Sequence, residues 1–158
     1  MISFRCLPIS TETANRFRTT SRDDQGNDVR IFNRPDGGYP CRHCLKESSS
    51  GEPVLLGSYN LARPRGIYWT PSPIFVHAAQ CPPYAAVDHI PDIVRNRLVS
   101  LRAYDANDAV IYQLGDVVEG KLADELLVRC LADARCSYVN IHTARPGCLL
   151  CVVTRDSH

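Results

Sequence analysis

The sequence has almost no net charge: 18 basic side chains face 17 acidic ones over 158 residues, a formal +1. That balance offers no global attraction to nucleic acid or to an anionic membrane, so neither is expected as a partner. No apolar run approaches the roughly 20 residues that would span a bilayer. The first eight residues, Met1 to Pro8, hold no apolar core and no small-residue cleavage site, so a processed leader is not expected there. Internal repeats and low-complexity tracts are also missing. So are a nucleotide-binding glycine loop, a Gly-x-Ser-x-Gly elbow and a His-Glu-x-x-His helix, which disfavours three common enzyme classes.

What the chain does have is cysteine. There are eight, at positions 6, 41, 44, 81, 130, 136, 148 and 151. Secreted disulfide scaffolds are usually shorter and carry a leader, so a reducing, cytoplasmic setting is expected. Thiols clustered in such a compartment point to metal or redox chemistry. Lysine is scarce, with Lys46 and Lys121 the only two, so nearly all the basic side chains are arginines suited to bidentate contacts with carboxylate or phosphate.

The length suits one domain, residues 1–158, able to bury a core. Residues 2 to 7 read as a strand, and Ser10-Thr11-Glu12 opens a helix through Phe17. Residues 19 to 40 are polar and glycine-containing, a long loop that ends on the first cysteine pair. Pro53 to Tyr59 and Pro73 to His77 read as buried strands. Pro91 fits the first turn of a helix over Asp92 to Leu98. Ser100 to Tyr104 and Ala109 to Gln113 flank the turn formers Asp105 to Asp108 and predict a hairpin. Gly115 to Glu119 continues as a strand. Leu122, Leu126, Leu127, Cys130 and Leu131 share one face of a helix over 121–134. Strands near Ser137 to His142 and Leu149 to Thr154 close the chain. The expected fold class is α+β: one domain, mainly antiparallel sheet, with two to four short helices.

Two Cys-x-x-Cys pairs, Cys41/Cys44 and Cys148/Cys151, lie about a hundred residues apart. A tight turn aims both sulfurs of such a pair at one ion, and two pairs make the four-thiolate pattern of a structural zinc. The separation is no obstacle, since closing a longer loop costs only logarithmically more entropy. One objection stands: in an extended strand, positions i and i+3 face opposite sides, so Cys148 and Cys151 need a turn, which Pro146-Gly147 offers.

His77 and Cys81 form a His-x-x-x-Cys within reach of one metal. They are the candidate catalytic pair, with His77 a neutral general base or either residue replacing a thiolate and leaving zinc-activated water. His43 falls beside the ligands or in solvent, and Glu52 is an acid or an ion-pair partner. Arg102, on a presumed core strand, needs a carboxylate or an anionic ligand. With Arg42 it is expected to complete a pocket for a small anion beside His77 and Cys81, to which His142 contributes a further wall. Two readings compete with zinc binding. One is a thiol–disulfide protein using Cys41 and Cys44. The other is a non-catalytic binding module that recognises its partner through the 19–40 loop.

Several blocks resemble one bacterial family, the domain of unknown function DUF1203. They are Pro40-Cys41-Arg42-His43-Cys44-Leu45, Gly51-Glu52 leading to Leu55-Leu56-Gly57-Ser58-Tyr59, and Pro73-Ile74-Phe75-Val76-His77 with Cys81. Leu101-Arg102-Ala103-Tyr104-Asp105, Tyr138-Val139 and Cys148-x-x-Cys151 leading to Arg155 extend them over nearly the whole chain. The resemblance implies a single domain in which both cysteine pairs recur, which favours zinc. It implies no reaction. Ser72 stands where the family tends to have Gly, and Asn140-Ile141-His142 where it tends to have His-x-Arg, so His142 inherits no role.

Overall fold

Alternating apolar positions place eight strands in two antiparallel sheets in a computed structural model that describes residues 1–157. The strands are β1 (Phe4–Leu7), β2 (Arg30–Phe32), β3 (Val54–Tyr59), β4 (Ser72–His77), β5 (Leu98–Tyr104), β6 (Asp116–Glu119), β7 (Tyr138–Thr143) and β8 (Leu149–Arg155). Three helices, α1 (Thr11–Thr20), α2 (Asp92–Arg95) and α3 (Ala123–Ala132), complete an α+β domain.

The larger sheet runs β1-β8-β7-β5-β6. Its inner face presents Val99, Leu101 and Ala103 from β5, Val139 and Ile141 from β7, and Cys151 and Val153 from β8. Against them α3 packs Leu126, Leu127, Cys130 and Leu131, the stripe expected from helical spacing. Leu122 falls outside that stripe, exposed in a 3₁₀ turn before the helix. At Gly120 in that turn, a Cβ would lie 1.9 Å from the Val94 carbonyl oxygen, so only glycine lets the turn sit on α2.

The smaller sheet runs β2-β3-β4. Ser10 caps α1 by accepting from the Thr13 amide at 3.1 Å. The helix then buries Ala14 and Phe17 against β3. Gly57 on β3 makes room, since a Cβ there would sit 2.9 Å from the Phe17 ring.

Three expectations are corrected. The 19–40 loop contains β2, and its first half is organised by the Asp23 carboxylate, which accepts from the amides of Gln25, Asn27 and Ser58. The 92–98 helix stops at Arg95, because Leu98 already begins β5. Ala109 to Gln113 is not the hairpin strand: beyond the Tyr104–Val110 bridge the chain turns away, and β6 pairs with β5 instead. There the Asp105 carboxylate takes the amides of Asn107 and Ala109, closing a local turn that competes with a longer ladder.

Candidate metal centre

The segment from Pro40 to Glu47 folds into a tight reversal. The Cys41 amide donates to Lys46 O and the Leu45 amide to Cys41 O, both at 3.0 Å. Leu45 adopts φ +57°, a left-handed conformation costly for a bulky side chain. Its burial in the large core offsets that strain. The reversal docks on β4, with Cys41 bridging in parallel to Phe75 and the Arg42 amide donating to Phe75 O at 2.9 Å. β4 ends on His77. The following segment returns to the reversal, where the Tyr84 amide donates to His43 O at 3.0 Å, and this return carries Cys81 inward.

Cys41, Cys44, His77 and Cys81 thereby bring three sulfurs and one ring nitrogen within 4.8 Å of one another. Cys41 Sγ lies 3.9 Å from Cys81 Sγ, and Cys44 Sγ lies 3.4 Å from His77 Nδ1. Bonds of about 2.3 Å to sulfur and 2.0 Å to nitrogen in a tetrahedron give edges of about 3.8 Å between sulfurs and 3.5 Å from sulfur to nitrogen. The donor set therefore fits a metal such as zinc. Cys41, Cys44 and His77 are buried, and Cys81 is partly exposed.

The surroundings favour negative sulfur. The His77 amide donates to Cys41 Sγ at 3.3 Å, and Arg18 Nη2 approaches Cys81 Sγ at 3.3 Å. Arg18 also donates through Nε to His77 O at 3.0 Å, tying α1 to the end of β4. His43 is buried, and burial lowers its pKa and favours the neutral ring. Its Nδ1 lies 3.2 Å from Cys81 Sγ and its Nε2 lies 2.8 Å from Thr11 Oγ1, so Nδ1–H donates to sulfur while Nε2 accepts the hydroxyl.

Without a bound metal, the Cys44 thiol donates to Cys41 and holds the Cys41 thiol well below its ordinary range, with His77 adding to the shift against the opposing effect of burial. The same bond pushes the Cys44 thiol far up. The hydrogen bond to Cys41 raises His77, and the Glu52 carboxylate assists. Glu52 Oε1 stands 3.2 Å from His77 Nε2, off the line of an ideal hydrogen bond. With Nδ1 facing the sulfurs and Nε2 facing a carboxylate, the imidazole is oriented as metal-binding histidines commonly are.

The second cysteine pair is not brought to this centre, a correction with a geometric cause. Cys151 points into the large core beside Cys6, whose thiol hydrogen bond, with burial, raises the Cys151 thiol well above its usual range. Cys148 lies before β8, with its amide on Thr143 Oγ1 at 2.9 Å. The strand alternation that stood as the objection prevails: β8 begins at Leu149, so Pro146-Gly147 turns the chain too early to bring both thiols to one side.

Arg42 is likewise reassigned. It is fully buried, with Nε on Leu149 O and Nη1 on Pro40 O, both at 2.7 Å, and burial pulls its pKa down to about 10. It fastens the reversal to β8 and is not a ligand-facing cation. Arg102 sits on β5 in the other sheet, so the pocket expected from His77, Cys81, Arg42 and Arg102 does not assemble. His142 is on β7, away from the four donors. Arg18 carried no sequence signal, because only the docking of α1 brings it to Cys81.

A single α+β domain with a buried Cys₃His donor cluster is the class that fold and site define. DUF1203, a family of proteins of unknown function, matches residues 38–155, and the chain belongs to it. All four donors fall inside the matched span, whereas β1, α1 and β2 precede it. Neither a curated protein nor a solved structure matches the chain. No helix among the described residues is long and apolar enough to cross a membrane.

Proposed function

We propose that the protein binds one zinc ion through Cys41, Cys44, His77 and Cys81, and that the ion is structural. The observation that carries this reading is the tetrahedral fit of the four donors, above all the 3.9 Å and 3.4 Å edges. Four protein ligands leave no open position for water, which favours fastening over hydrolysis. On this reading His77 and Cys81 are ligands and not a catalytic pair. The ion clips the Cys41–Cys44 reversal to the end of β4 and to the segment that returns from it. A site built of reduced thiols also supports a reducing, cytoplasmic compartment.

Thiol–disulfide exchange is the second reading, favoured by the depressed Cys41 thiol. Access speaks against it: Cys41 and Cys44 are 0% and 4% exposed, and an exchanging thiolate must be reached by its partner.

Metal analysis of protein purified under reducing conditions, without chelator, tests the proposal. About one equivalent of zinc is expected, lost in Cys44→Ser and retained in Cys151→Ser. Less than about half an equivalent in the parent, with folding unchanged by chelator, overturns it.

A further inference from the structure

The outer face of the large sheet is polar at its centre. Ser100, Arg102 and Tyr104 on β5 alternate with the core residues Val99, Leu101 and Ala103. The register sets Arg102 opposite Asn140 and Ser100 opposite His142 on β7. Asn140 is 0% exposed and His142 4%. Asn140 Nδ2 donates to Arg63 O at 3.2 Å, yet its Oδ1 meets no donor among the described residues. His142 Nδ1 donates to Gly147 O at 3.0 Å, which leaves Nε2 a buried acceptor, also without a partner.

Arg102, beside them in the ladder, lacks a counter-charge, and unlike Asn140 and His142 it borders a cleft. Arg63, Arg95, Arg97 and Arg135 each pair with a carboxylate. Arg102, half-buried on a sheet face, has no such partner among the described residues, and only the Tyr104 hydroxyl bonds it. Arg102 lines a cleft of about 440 Å³ together with Tyr68, Tyr104, Tyr112 and Val117. Tyr68 and Tyr112 reach across the mouth from different loops, with their hydroxyls 2.7 Å apart and their rings edge to face at 6.3 Å. Asp116, the one carboxylate on the rim, turns Oδ1 onto the Val117 amide at 2.8 Å. A cleft of this size with apolar walls and one convergent charge has the form of a small-molecule site.

We propose that this cleft binds a small organic carboxylate, with the carboxylate pairing with Arg102 and a flat ring packing against Tyr68 and Tyr112. A guanidinium matches a carboxylate through two parallel N–H···O bonds, and tyrosine faces accept a planar ring. The site stands on the large sheet and does not depend on the zinc reading.

The probes are benzoate, its neutral analogue benzamide and inorganic phosphate, titrated into isotope-labelled protein and followed by amide shifts. Benzoate is expected to shift Arg102, Gly115 and Val117 saturably. Arg102→Met should weaken it about tenfold or more, as should replacing benzoate by benzamide, the loss expected of a charged hydrogen-bond pair. The amide positions of Leu127 and Ile141 show whether the variant keeps its fold. Tyr112→Ala, at a side chain 71% exposed, gives a second arm that leaves the core untouched. It should weaken benzoate and leave folding unchanged. The proposal is overturned if benzoate gives no saturable shift, if Arg102→Met binds it equally well, or if phosphate alone shifts these amides.

Discussion

The five-stranded sheet gathers 21 buried residues into one apolar cluster, whereas the three-stranded sheet gathers 8, two of them the thiols Cys41 and Cys44. Apolar burial alone is enough to hold the first. Both clusters hold thiols, but the four of the first (Cys6, Cys130, Cys136 and Cys151) lie outside any donor cluster of the described residues. Cys41 and Cys44 of the second join His77 and Cys81, and the reversal that carries them contains a left-handed leucine. Small apolar clusters are where natural proteins add a metal or a cross-link. On the proposed reading the two sheets divide the labour: one folds on its side chains, and the other is fastened at a point by the metal.

Removing the metal is the largest way to break that comparison. Chelation is expected to release hydrogen-exchange protection at Gly57 and Val76, with exchange about a thousandfold faster or more, while Leu101 and Ile141 keep theirs. Equal loss in both sheets would mean that the metal and the large core form one cooperative unit. No loss in either would mean that the eight-residue cluster suffices.

Much of this division was legible in the sequence. β3, β4, β5, β7, β8 and α3 follow from apolar runs and helical spacing, and their exposed ends from turn formers. Cys41, Cys44, His77 and Cys81 were all singled out, because their types and local spacings suit a metal. Which four converge was not legible. Cys148/Cys151 repeats the spacing of Cys41/Cys44, and spacing does not reveal that one pair lies on a reversal and the other spans a strand start. Leu45 hid the reversal, since the residue type that signals φ > 0 is glycine. Glu52 was visible as an acid, but its partner on β4 depends on how β3 and β4 pair. Arg42 looked like a ligand-binding cation because burial against two backbone carbonyls leaves no trace in local sequence.

The two buried histidines sharpen the comparison through pH. His77 in the metal-free small sheet has its pKa raised, so its contribution is complete below about 6.5 and is lost as pH rises through the folded value. His142 on the large sheet is pushed down to about 4 by burial, helped by the nearby charge of Arg102. Its contribution is therefore complete above about 6.5 and is lost as pH falls through 4, an effect of about 3 kcal/mol. Urea unfolding of the chelated protein between pH 7.5 and 4 measures the second term. His142→Asn should flatten the decline in that window. An unchanged slope would place the acid sensitivity elsewhere.

The smallest expected effect lies inside the small sheet, in how β3 and β4 share the orientation of His77. β4 fixes its backbone, and Glu52, just before β3, supplies the charge facing Nε2. The same carboxylate accepts from the Ser49 amide at 2.8 Å, so Glu52→Gln can keep the local turn while removing the negative charge. A carboxylate behind a metal-bound imidazole raises its basicity, and losing such a partner typically costs 10–100-fold in affinity. Competition with a chromophoric chelator should show that weakening in Glu52→Gln, with the exchange protection of Leu101 and Ile141 untouched. Unchanged affinity would show that strand β4 and the sulfurs alone orient the ring, and that the carboxylate serves only the Ser49 turn.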